Sequence, residues 1–126
     1  MSLDRFVGLI YDEDRFDCAD FVAHVRRELY GHEVRLPNGR ERGLEGYARV
    51  AGRVEQYATP TETPADGDLV LMGREGRKGG HVGLYFHLDH EGYVLHSNET
   101  DGCSVLHRVR DLPDFGTTIK GFYAWA

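Results

Sequence analysis

Cysteine is scarce in this chain: two residues, Cys18 and Cys103, among 126. They stand far apart in different local contexts, which is not the spacing of a disulfide-stapled secreted module and predicts a reduced protein, cytoplasmic at synthesis. Long apolar runs are missing too. From Met1 through Ile10 the chain carries Asp4 and Arg5 and builds no continuous hydrophobic stretch, so neither a signal peptide nor a membrane partner is expected. Positive charge is in deficit. Fifteen Lys and Arg oppose 21 Asp and Glu, for a formal charge of −6, and the basic residues are scattered, which argues against nucleic acid as a partner. No internal repeat or low-complexity tract occurs. What is present is a 40% hydrophobic fraction with seven Tyr, six Phe and one Trp, enough for the core of a single domain over residues 1–126.

The chain changes character midway. From Cys18 to Tyr30, Phe21, Val22, Val25 and Leu29 recur at three- and four-residue steps, while Asp20, Arg26, Arg27 and Glu28 fall on the other side, the pattern of an amphipathic helix. Asp17 is suited to cap its start, and Gly31 to end it in the left-handed conformation. A second helical pattern runs through Leu44, Tyr47, Ala48, Ala51 and Val54, and Thr59 to Pro64 reads as a surface connection. Five strands follow, at Asp68–Met72, His81–His87, Tyr93–Ser97, Ser104–Val109 and Lys120–Trp125. Arg74 to Gly80 reads as a mobile hairpin loop and Asp89 to Gly92 as a tighter one. The expected fold is α+β, with N-terminal helices packed on an antiparallel sheet of about five strands.

A cysteine in the first turn of a helix faces unpaired backbone amides and the positive end of the helix dipole, both of which favour thiolate. Cys18 occupies that position; the plainer alternative is a buried cysteine acting as a small hydrophobe. His81 opens a strand beside Gly79 and Gly80, which would let a substrate backbone approach, and His96 lies near the end of the next strand. A hairpin would make the two imidazoles neighbours. Nucleophile, proton-shuttling histidine and a third polar group that fixes the tautomer form the working set of a cysteine hydrolase. Asn98, two residues past His96 on the same strand face, is the substitute third group. His81, His87, His90 and His96 also permit a metal reading, but their spacing matches no recognised zinc motif. His87 and His90 read as flanking a solvated turn, and His24, His32 and His107 as ordinary solvent-facing side chains. Asp12, Glu13 and Asp14 read as a solvated turn, and Cys103 as structural.

Asp17-Cys18-Ala19-Asp20-Phe21-Val22 resembles the nucleophile segment of the papain-like NlpC/P60 cysteine peptidases. In order after it, Pro64 to Val70 resembles that family's Gly-Asp-Leu strand opening. His81-Val82-Gly83-Leu84-Tyr85 resembles its histidine strand, and Val94-Leu95-His96-Ser97 the strand of its third polar residue. Tyr11 stands where the family often has a tyrosine facing the nucleophile. Ala19 and Asp20 depart from the usual Ser and Gly, and the approach through Asp12 to Arg15 lacks the Trp-Gly-Gly of many cell-wall members. Short phage-encoded members diverge in this way. The resemblance implies a hydrolase of a peptide or amide bond in bacterial peptidoglycan, with Cys18, His81 and His96 catalytic and Tyr11, Asp17 and Asn98 supporting. It implies no cofactor, and delivery to the wall by lysis or by a phage tail or similar assembly. A lipid or small-molecule acyl transferase or amidase of the same fold, and a catalytically silent assembly module, are the competing expectations.

Overall fold

The computed structural model describes residues 2–34, 36, 57–76 and 80–126. Among the described residues, local signals build one α-helix, α1 (Cys18–Tyr30), as expected from sequence. Asp17 caps it with a carboxylate that accepts from the Ala19 and Asp20 amides, and Asp20 returns the bond to the Asp17 amide, a reciprocal capping box. Gly31, at φ 61° and ψ 23°, closes the helix in the left-handed region. Its apolar stripe of Phe21, Val22 and Val25 is fully buried, worth about 1.5–3 kcal/mol per side chain. The segment through Leu44 and Val54 lies outside the described residues.

Six strands form one antiparallel sheet among the described residues, where five were expected. They are β1 (Ala58–Thr61), β2 (Leu69–Arg74), β3 (Gly80–Leu88), β4 (Glu91–Asn98), β5 (Cys103–Arg108) and β6 (Thr117–Trp125), in the spatial order β1-β6-β2-β3-β4-β5. The added strand is β1, in part of the Thr- and Pro-rich stretch read as a connection. Pro60 cannot donate to a ladder, and an edge strand is where that loss is tolerated; here it sits opposite Tyr123 of β6. The turn between β3 and β4 places Asp89 and His90 both at positive φ (49° and 66°), as a two-residue hairpin turn demands. Of the loop read at Arg74–Gly80, residues 77–79 lie outside the described residues.

Alternation along the strands sorts the interior into two faces. Leu69, Leu71, Val82, Leu84, Phe86 and Leu95 pack with the stripe of α1. Val70, Met72 and Val94 pack on the other face with Leu112, from a 3-10 helix over Val109–Phe115 that the sequence reading did not foresee. Among the described residues no helix is long and apolar enough to cross a membrane.

Candidate active site

Cys18 is the first residue of α1 and only 6% exposed. Its position follows from the cap: the Asp17 carboxylate, itself 2% exposed, takes the Ala19 and Asp20 amides at 3.0 and 3.1 Å and thereby fixes the turn that carries the thiol. Cys18 belongs to the hydrophobic cluster beneath α1. Cys18 and Cys103 are free thiols, and Cys103 opens β5 in a half-buried position.

β3 and β4 bring His81 and His96 together. The backbone ladder between these strands ends at Leu84–Leu95, while β3 runs on paired to β2 and β4 to β5. Beyond that point a side-chain link takes over: His81 Nε2 and His96 Nδ1 are 2.8 Å apart, with their ring planes 71° from parallel. Both imidazoles are nearly sealed from solvent, at 1% and 2% exposed. Gly83 permits the approach. A Cβ there would lie 2.9 Å from the Cβ of His96 and equally close to Val94 and the Leu95 carbonyl, so any side chain would drive β4 away. The glycine of the His-Val-Gly segment thus serves the partner histidine.

Burial, first of all, pulls the His96 pKa down to about 3, helped by His107 and Arg74 and opposed by Asp101. His96 is therefore a neutral imidazole near neutral pH, with one N–H to give and one lone pair to receive. Its second nitrogen, Nε2, lies 3.1 Å from Nδ1 of His107 on β5. His107 in turn stacks on Phe115 of the 3-10 helix, centroids 4.2 Å apart and planes within 10°. The sequence suggested only a solvent-facing side chain for His107. The signal was the β4–β5 register: with His96 opposite Val105, His107 stands diagonally across on the same face.

The remaining candidates fall elsewhere. Asn98 is engaged with the β4–β5 turn, donating to the Asp101 carboxylate at 2.8 Å and accepting from the Asp101 amide at 2.7 Å. Tyr11 is half-buried, its amide bonded to the Gly102 carbonyl at 3.0 Å, so the segment before α1 is tied to the same turn. Asp12 accepts from the Asp14 amide in an exposed turn, as expected of that acidic cluster. His87 and His90 lie at the turn end of the β3–β4 hairpin, far along the strands from His81 and His96, so the four histidines do not gather round one point. A cleft of about 520 Å³ lined by Arg74, Glu75, Thr117 and Lys120 opens beside the end of β2, and neither Cys18 nor the paired histidines line it.

A cysteine at a helix start is followed in the chain by a hydrogen-bonded histidine pair on adjacent strands. The sequence profile of the NlpC/P60 family matches residues 6–111. No curated protein matches the chain. The match covers α1, the histidine pair and β5, and on that ground the chain belongs to the NlpC/P60 family, a family of papain-like cysteine peptidases and amidases.

Proposed function

We propose that the protein hydrolyses a peptide or amide bond in the stem peptide of bacterial peptidoglycan through Cys18, His81 and His96. The buried 2.8 Å contact between His81 Nε2 and His96 Nδ1 carries the reading. Two imidazoles removed from water and bonded to each other fix ring orientation, which a proton shuttle needs and a solvated histidine lacks. Family membership supports the substrate class, since NlpC/P60 proteins act on peptidoglycan peptides.

In this mechanism His81 uses Nδ1 toward Cys18, because Nε2 is committed to His96. The Cys18 thiolate attacks the amide carbonyl carbon, and the developing oxyanion is met by backbone N–H at the helix start. Asp17 already engages the Ala19 and Asp20 amides, so this role falls to the Cys18 amide, with the Tyr11 hydroxyl as second donor. His81 then passes its proton to the departing amine and the C–N bond breaks, leaving a thioester on Cys18. Water, deprotonated by His81, attacks the thioester; the acid leaves and the thiol is restored. His96 is preferred to Asn98 as the orienting group because the Asn98 amide is already spent on Asp101.

The test is digestion of purified peptidoglycan and its muropeptides by the wild type and by Cys18→Ala, read by mass spectrometry. New fragments from the wild type alone identify nucleophile and bond together. Intact muropeptides of several wall chemotypes after both treatments would overturn the assignment and shift weight to another acyl substrate or to a non-catalytic assembly role.

A further inference from the structure

The row of imidazoles continues past the pair. His81, His96 and His107 come from three consecutive strands, joined Nε2 to Nδ1 at 2.8 Å and again Nε2 to Nδ1 at 3.1 Å. Each contact holds one proton, so with neutral rings the row has two self-consistent directions. In one, His107 Nδ1 accepts from His96 Nε2–H, and His96 Nδ1 accepts from His81 Nε2–H. In the other every bond is reversed, and a neutral His81 then carries its proton on Nδ1.

Only the first direction suits the chemistry proposed above, on which this inference rests. It leaves Nδ1 of neutral His81 as a lone pair able to take the thiol proton. It also survives the step that follows, because imidazolium His81 still donates through Nε2 to the same acceptor. The reversed direction fails twice: Nδ1 is blocked before the transfer, and afterwards two N–H groups confront each other across 2.8 Å.

We infer that His107 is a positioning residue whose Nδ1 accepts from His96 Nε2–H and thereby fixes the tautomers of His96 and His81. Its own ring is held by the stack on Phe115 at 4.2 Å. This gives a purpose to a large hydrophobic side chain that is 58% exposed: Phe115 lies against the outermost imidazole and sets its plane.

The experiment uses the full chain with ¹⁵N-labelled histidine rings, comparing the wild type, His107→Phe and His107→Asn. Phenylalanine keeps an aromatic ring for Phe115 and removes the acceptor; asparagine puts an amide oxygen where Nδ1 was. In the wild type, ring-nitrogen spectra show His96 and His81 each protonated on Nε2. His107→Phe relaxes His96 toward a mixture of tautomers and lowers kcat on muropeptides about tenfold or more, as loss of a supporting hydrogen bond commonly does, with KM within about twofold. His107→Asn restores the Nε2–H tautomer and most of kcat. His96 protonated on Nδ1 in the wild type, or tautomers and kcat unchanged in His107→Phe, overturns the inference. Should the wild type leave every muropeptide intact, the proposed function falls, while the spectra still decide the direction of the row.

Discussion

The surroundings of Arg26 and the row His81–His96–His107 are both polar clusters walled by aromatic rings, yet they are built on opposite principles. Arg26, near the end of α1, lies 4.3 Å from the Tyr30 ring centre and 5.2 Å from that of Trp125. It donates to the Gly67 carbonyl at 3.2 Å and to His32 Nδ1, and Trp125 Nε1 donates to the same carbonyl at 2.7 Å. Burial pulls the Arg26 pKa down, against Tyr30 and Asp68, but a guanidinium stays charged across the physiological range. The cluster thus centres on a fixed charge with several partners. The histidine row has no fixed charge, and each of its bonds works in one protonation pattern. Permanent charge serves to fasten α1 to the start of β2 and the end of β6, while the histidine row keeps its labile protons on the strands where chemistry is proposed.

The contrast can be broken most sharply by paired substitutions. His96→Ala should lower kcat about a hundredfold to ten-thousandfold, as loss of a group that orients a catalytic imidazole does, and, because it empties a buried site and strands two imidazoles, should also cost about 2–3 kcal/mol in unfolding. Arg26→Ala should cost about 2–3 kcal/mol in denaturant unfolding while the folded fraction keeps its kcat. Equal effects of the two on kcat would erase the distinction.

The next test is acid. The His96 pKa lies near 3 when folded and returns to the ordinary value of 6.5 when unfolded, so between these limits the unfolded chain holds a proton that the folded chain lacks. This contribution to stability is complete above about pH 6.5 and declines as pH falls, by up to about 1.4 kcal/mol per unit. Wild type should therefore lose stability more steeply than His96→Gln below pH 6.5, by as much as one bound proton. Parallel slopes in urea titrations would deny His96 its neutral burial. Arg26→Ala should leave this acid slope in place.

The smallest effect concerns the cap. Asp17→Ala should cost about 1 kcal/mol, and Asp17→Asn, which keeps an acceptor oxygen, a few tenths. If Asp17→Asn instead lowers kcat as far as Asp17→Ala does, the carboxylate matters to the thiol beyond holding the turn.

How much was legible in the sequence follows from how local each cause is. Helix α1 could be read to its ends because its start, stripe and stop are written within its own residues, from the Asp17 and Asp20 carboxylates to Gly31. Strand centres could be read from composition, but β2, β3 and β4 run past the expected bounds because pairing partners decide where a strand stops. β1 was hidden by Thr and Pro, which describe a loop unless an edge position excuses them. The approach of His81 to His96 was legible once a hairpin joined their strands. The part played by His107, and by Arg26 as a fastening, was not, since each depends on register or on residues such as Gly67 and Trp125 far off in the chain.

Gly67 shows how narrow such a dependence is. At φ 85°, with a Cβ that would come within 2.6 Å of the Tyr30 ring, only glycine can present its carbonyl to Arg26 and Trp125 together.

The strand order has a consequence in time. β2 to β5 are successive neighbours and can zip as a meander in the order they are made, so the strands bearing all three histidines of the row can assemble early. β1 precedes them in the chain, yet it pairs with β6, through contacts such as Ala58 with Trp125. It must wait, already synthesised and unpaired, until β6 has been made and has docked on β2. Its proline, which withholds a ladder donor from any stray strand, is a safeguard for a segment kept waiting that long.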